Sequence, residues 1–179
     1  MSILAKEIAK FREWAVVRRS PEYRAGQFSH SSAEWECDYP DWQKIYQAVE
    51  SFLDSAADRN LTIDETELLL YALARDNEDE RVLDTLQKFP TLALQIGRAA
   101  LTHSDADARW QSAVLLCRIG TLDAVALLRR FSADDAEYVR RRAKLALQET
   151  EPKLGKLTSN CFPSSASNLV VSDGQQSLS

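Results

Sequence analysis

Apolar side chains recur every three or four residues through most of this chain, and this spacing constrains the fold more than any other feature. In the segment after Pro40 they are Trp42, Ile45, Tyr46, Val49, Phe52 and Leu53. Such spacing places them on one face of an α-helix. The 179 residues contain only five Gly and five Pro, so few positions interrupt helices. The sequence therefore predicts an all-α fold in one domain with short additions.

Start and stop signals divide the chain into helices. Thr62 and Glu65 form a capping box, which predicts a helix through Arg75. Pro90 suits the first turn of a helix, where its missing N–H costs nothing, and Gly120 suits a helix end. The predicted helices cover residues 3–18, a segment from 42, 62–75, 79–88, 90–102, a segment from 105, 122–131 and a segment from 135.

Two of the later segments resemble each other. Residues 105–113 align without a gap with residues 135–143, at an offset of 30. Each copy begins with acidic residues, which favour the positive end of the helix dipole, and has an alanine eight positions later, which allows close approach of a neighbouring helix. The first helices of successive pairs are expected to begin near residues 41, 79, 105 and 135.

The second copy resembles a HEAT repeat, whose first helix commonly carries an acidic residue, then a Val-Arg pair and an Ala. Here these are Asp135, Val139, Arg140 and Ala143. In the first copy, Arg109 and Trp110 stand where the Val-Arg pair is expected.

The resemblance implies an α-solenoid of stacked antiparallel helix pairs over residues 1–150. We expect the helix at residues 3–18 to be an N-terminal cap and residues 20–40 to be an inserted loop. Residues 151–179 contain two Pro, two Gly and many Ser, which predicts a flexible tail.

Residues 34–40 and 71–78 also look like the corresponding segments of small bacterial HEAT-like proteins of the toxin-immunity type. This resemblance implies a module that binds and neutralises a toxin domain. Charge is compatible with a basic toxin such as a nuclease, because residues 31–103 hold six Lys/Arg and fifteen Asp/Glu, a net charge of −9. The same acidity disfavours nucleic acid as a ligand.

The strongest candidate contact lies in residues 34–42, which hold two Trp, one Tyr and four carboxylates. Aromatic anchors with a charged rim are typical of protein interfaces. The candidate residues are Glu34, Trp35, Glu36, Asp38, Tyr39 and Trp42. The alternative is that the aromatic residues fix the loop on the first helix pair while the carboxylates stay solvated.

For three further groups of residues the sequence allows two interpretations each. Residues 75–78 (Arg75, Asp76, Asn77 and Glu78) either contact a partner or cap the two helices that they separate. Arg109 and Trp110 either face a ligand or fill a junction between repeats. Arg129 and Arg130 with residues 140–142 form a basic patch, which is either solvated or a phosphate site.

No motif for catalysis or for cofactor binding is found. The histidines His30 and His103 lack zinc-ligand spacing, the three cysteines form no CxxC pair, and no glycine-rich phosphate-binding loop occurs. We therefore expect no enzyme activity, cofactor or metal. The alternatives are an enzyme on a related helical scaffold, such as a DNA glycosylase or a bilin lyase, and a scaffold protein with an ordinary cellular partner.

Location and oligomeric state are predicted from the same sequence. The first residues are charged and lack a secretory apolar run. No stretch approaches the ~20 apolar residues that cross a bilayer. We expect a cytoplasmic monomer that binds another protein.

Overall fold

The computed structural model of the chain describes the backbone of residues 1–18, 39–76 and 78–161, and side chains up to residue 152 except those of residues 17 and 18. Within these ranges the chain contains helices and no strand. The helices are α1 (Ile3–Arg18), α2 (Trp42–Ala56), α3 (Ile63–Arg75), α4 (Arg81–Leu86), α5 (Pro90–Ala100), α6 (Ala106–Ile119), α7 (Leu122–Phe131) and α8 (Glu137–Cys161). The predicted all-α class is confirmed.

The helices contact each other in two alternating series. In one series α2 contacts α4, α4 contacts α6, and α6 contacts α8. In the other, α1 contacts α3, α3 contacts α5, and α5 contacts α7. Helix α6 also contacts α3, α5 and α7, so it lies at the centre of the described part. The core between the helices includes Phe11, Ile45, Leu69, Leu83 and Phe131, all fully buried.

Local signals in the sequence place the helix ends correctly. The Thr62 hydroxyl accepts a hydrogen bond from Glu65 N at 3.3 Å, and the Glu65 carboxylate accepts one from Thr62 N at 2.8 Å. Pro90 is the first residue of α5. Gly120 has a φ of 62° and closes α6 through its N–H, which donates to Leu116 O at 3.0 Å. Each signal acts within a few residues, so the sequence alone was sufficient.

The start of α4 and the end of α8 differ from the sequence predictions, and Asp41 does not cap α2. Helix α4 begins at Arg81 rather than near residue 79 because Glu80 has a φ of 53°, in the left-handed region that no helix residue adopts. Asp41 precedes α2 as predicted, but its side chain makes no capping hydrogen bond and pairs with Lys44 at 2.8 Å. Helix α8 continues to Cys161, beyond residue 150, where the tail was predicted to begin.

Parts of two predicted segments lie outside the described residues. These are residues 20–38 of the inserted loop and residues 162–179 of the tail. None of the helices described here is both long enough and apolar enough to span a bilayer.

Candidate functional site

The two described aromatic residues of the 34–42 segment are buried against α1. Tyr39 is 5% exposed and Trp42 is 9% exposed. Their ring centroids lie 4.9 and 5.2 Å from that of Phe11, and the Tyr39 ring lies 5.2 Å from that of Trp14. Tyr39 and Trp42 therefore hold the start of α2 on the first helix. The other candidates of this segment, Glu34, Trp35, Glu36 and Asp38, lie outside the described residues.

Asp76 connects α2, α3 and α4. Its Oδ1 accepts a hydrogen bond from Tyr46 Oη at 2.7 Å, and its Oδ2 accepts one from Val82 N at 2.7 Å. The second bond caps α4 from outside the helix. Only 4% of Asp76 is exposed, and this burial raises the pKa of its carboxyl to about 6. Of its neighbours, Glu78 is exposed and Asn77 is not described.

Arg75 connects the end of α3 to the start of α6. It is 3% exposed, and its guanidinium donates to the Asp105 carboxylate and lies 3.7 Å from that of Asp107. The guanidinium carbon also lies 5.6 Å from the centre of the Tyr71 ring. A buried cation is tolerated only with such partners, so Arg75 contributes to the junction between the two helices.

Arg109 makes the corresponding junction between α6 and the turn before α8. Its Nε donates to Asp134 at 2.9 Å, and its Nη2 donates to Asp135 at 2.7 Å. Its Nη1 donates to the carbonyl oxygens of His103 and Ser104 at 2.8 and 3.2 Å. With a further Nη2 bond to Asp134 at 3.1 Å, all five N–H groups of this guanidinium have acceptors inside the chain.

Trp110 fills the space between α6 and α8. Its Nε1 donates to Asp107 Oδ1 at 2.9 Å, and its ring meets the Tyr138 ring edge to face at 5.4 Å. The Arg142 guanidinium lies 5.0 Å from the centre of the Trp110 ring. Trp110 is 7% exposed and lies in the junction between these two helices. Of the two interpretations from the sequence, facing a ligand or filling a junction, its position fits the second.

Arg140 repeats the backbone contacts of Arg109 and corrects the internal alignment. Its Nη1 donates to Asp134 O and Asp135 O at 2.8 Å, six and five residues earlier, as Arg109 does to its own preceding turn. Helices α6 and α8 begin at residues 106 and 137, and 137 − 106 equals 140 − 109, an offset of 31. The counterpart of Val139-Arg140 is therefore Ala108-Arg109, and the sequence offset of 30 was wrong by one residue.

Sequence reasoning missed this register because Asp105 and Asp135 match at an offset of 30 and both begin an acidic turn. A signal was present, since the pattern of a small apolar residue followed by Arg occurs in both copies at an offset of 31. Sequence reasoning also missed Arg118 on α6. Its guanidinium donates to the carboxylate of Glu80, just before α4, and to that of Asp84, within α4.

The exposed charges of the first helices remain predominantly acidic. Residues 41–103 contain twelve Asp/Glu and six Lys/Arg, a net charge of −6. The exposed carboxylates of this region are Glu50, Asp54, Asp58, Asp64, Glu67, Glu78, Asp79 and Asp84. Arg75 and Asp76 are both buried, so eleven carboxylates and five cations of this region remain at least partly exposed. The exposed parts of α2 to α4 and their turns therefore carry more negative than positive charge.

A polar cavity of about 490 Å³ lies at the turns before α6 and α8 and is lined by His103, Arg109, Arg130, Asp134 and Asp135 among others. His103 is held on both sides: Asp105 N donates to its Nδ1 at 3.1 Å, and its Nε2 lies 3.2 Å from Glu67 Oε2. In this cavity the imidazole of His103 and the guanidinium of Arg109 are therefore both engaged by other groups of the chain. Among the described side chains, no group of three His, Cys, Asp or Glu is placed to hold a metal ion.

Comparisons of this chain with protein-family models, with curated proteins and with solved structures found no match. The class that the structure defines is an all-α protein whose helices alternate between two contacting series.

Proposed function

We propose that this chain is a protein-binding module built as an α-solenoid of stacked antiparallel helix pairs, similar to HEAT repeats, with α1 as its N-terminal cap. Two observations support the architecture: helices two apart in sequence contact each other, and Arg109 and Arg140 make equivalent contacts in helices 31 residues apart. Stacked helix pairs form an extended surface, which such proteins commonly use for binding.

The observation that carries the binding function is the acidic surface of α2 to α4, defined by the eight exposed carboxylates given above. Surface charge of one sign accelerates association with a partner of opposite charge and selects against the wrong ones. We propose that the partner is a basic toxin domain, which this chain neutralises. We propose that Glu34, Trp35, Glu36 and Asp38, which precede α2 in the chain, contact the same partner.

The test uses the product of the neighbouring gene in the native genome. We expect that product to form a complex with the full chain and to arrest growth when it is expressed alone. Co-expression of the full chain should restore growth. If the product neither binds the chain nor harms cells in its absence, the toxin-neutralising proposal is wrong.

A charge-reversal variant locates the contact. Glu36→Lys combined with Asp38→Lys should weaken binding about tenfold or more, because a basic partner is then repelled. The melting temperature should not change. The control is Asp123→Lys with Glu149→Lys, which makes the same change in net charge on exposed positions of α7 and α8. Equal weakening by both variants would contradict a local contact.

A further inference from the structure

We propose that the outer face of α8 is a second interaction surface, which receives a partner helix that begins with aspartate residues. We define this outer face by the residues lining a groove of about 400 Å³: Glu137, Arg140, Arg141, Lys144, Leu145 and Gln148. The inference goes beyond the proposed toxin binding because it concerns the opposite end of the chain and a partner of opposite charge.

The outer face of α8 corresponds in position to the face of α6 that receives α8. On α6 that face includes Trp110, which meets Tyr138, and Val114 and Cys117, which line a small cavity with residues of α8. The Cys117 thiol also contacts Ala146 O at 3.8 Å. Shifted by 31, these three positions are residues 141, 145 and 148, which line the groove on α8. The outer face is therefore positioned as a helix-receiving face.

Arg140 makes the same backbone contacts as Arg109 but lacks the carboxylate partners that Arg109 has. Both guanidinium groups donate through Nη1 to two carbonyl oxygens of the preceding turn. Arg109 then binds Asp134 and Asp135 at the start of the next helix of its series. Within the described part of the chain, no carboxylate forms an ion pair with Arg140. An incoming helix that begins with two aspartates would supply these acceptors.

The outer face also combines an excess of positive charge with an exposed apolar side chain. The outer face carries the cations Arg140, Arg141 and Lys144 and one carboxylate, that of Glu137. Leu145, on the same face, is 53% exposed. A helix face that only has to stay soluble needs polar side chains of either sign, whereas one predominant sign around an apolar centre is the pattern of a binding surface.

A second copy of this chain is a poor occupant of the outer face. Stacking copies end to end would bring α1 of one copy against α8 of the other. Residues 1–18 carry four Lys/Arg and two Asp/Glu, a net charge of +2, so charge does not favour contact with the cations of the outer face. We therefore assign the face to a helix of another protein.

The test does not require a known partner, because it selects peptide ligands from a library. A displayed library of helical peptides as long as α6, 14 residues, each preceded by two randomised positions, is selected on the full-length chain and counter-selected on the variant Lys144→Glu with Leu145→Asp. Both changed residues are exposed, so this variant is expected to fold. Enrichment of aspartate at the two positions before the helix supports the proposal. Its absence, or equal binding to the variant, overturns it.

Affinity measurements on an enriched peptide test the role of Arg140. Arg140→Ala should weaken binding about tenfold or more, and Arg140→Lys should restore it only in part, because a lysine cannot donate two parallel hydrogen bonds. The matched control is Arg98→Ala, which removes an exposed arginine from α5. If Arg140→Ala binds the peptide as well as Arg98→Ala does, the affinity does not depend specifically on Arg140 and the proposal is wrong.

The last measurement is the binding of duplex DNA. If it binds the full chain in a salt-sensitive manner and loses affinity in the Lys144→Glu, Leu145→Asp variant, the face binds nucleic acid and the proposal is overturned. That variant should still neutralise the partner of the acidic surface, so failure of the two proposals can be distinguished.

Discussion

At the scale of single residues, burial decides the role of the charged side chains. Arg75, Asp76 and Arg109 were candidate contacts from the sequence, and the structure buries all three between helices. Removing such groups from water is costly, and each is compensated by hydrogen bonds or ion pairs with residues that are distant in sequence. A sequence does not distinguish a buried arginine from an exposed one until its partners are known.

Asp76→Asn should change how stability depends on pH. The folded chain raises the pKa of Asp76 from 3.8 to about 6, so between these values it binds the proton more tightly than the unfolded chain. Asp76 should therefore contribute a rise in the free energy of unfolding as pH falls through this interval, on the order of 3 kcal/mol. The asparagine variant should lack this rise. Urea denaturation at pH values across the interval measures both profiles.

The exposed Asp54→Asn on α2 is the control for this change and should keep the wild-type profile. Parallel profiles for the wild type and Asp76→Asn would show that Asp76 titrates normally in the folded chain.

At the scale of elements, close contact between helices depends on single small residues. Gly97 on α5 faces Leu116 on α6, and a Cβ at position 97 would lie only 2.9 Å from Leu116 Cδ2. Both residues are buried, so Leu116 has little room to move. The sequence placed both helices but gave no indication of this approach, which depends on how α5 and α6 lie against each other.

Gly97→Ala should lower the free energy of unfolding by about 1 kcal/mol. Alanine improves helix propensity by ~0.5–1 kcal/mol, but overpacking of a filled core typically costs ~1–3 kcal/mol. Combination with Leu116→Ala should remove the overpacking, so alanine at position 97 becomes neutral or stabilising in that background. A double-mutant cycle by chemical denaturation measures this coupling. Additive effects would show that the two residues are not in tight contact.

At the scale of the whole molecule, most packing is between helices close together in the chain. Helix α1 packs on α2 and α3, whereas α8 packs on α6 and α7. Such an arrangement transmits a local loss of packing to neighbours more than to distant helices.

Phe11→Ala tests this organisation. Phe11 is fully buried in an aromatic cluster that includes Tyr39 and Trp42. Truncation of a buried Phe typically costs ~3–5 kcal/mol. Hydrogen exchange should show loss of protection in α1 to α3, while α7 and α8 change much less. Val16→Ala, at a position 41% exposed, is the control and should leave all helices protected. A uniform loss in every helix would show a single cooperative unit.

The sequence by itself determined the all-α class, the starts of α3 and α5, the end of α6, and core positions such as Ile45 and Val49. These features depend on spacings of three or four residues and on caps such as Thr62 and Gly120, whose partners are close in sequence. Tertiary structure alone decided that Arg75, Asp76 and Arg109 are buried, that the two similar helices are offset by 31, and that Arg140 lies on an open face. The physical reason is that these properties arise from contacts between residues far apart in the chain, which no local pattern specifies.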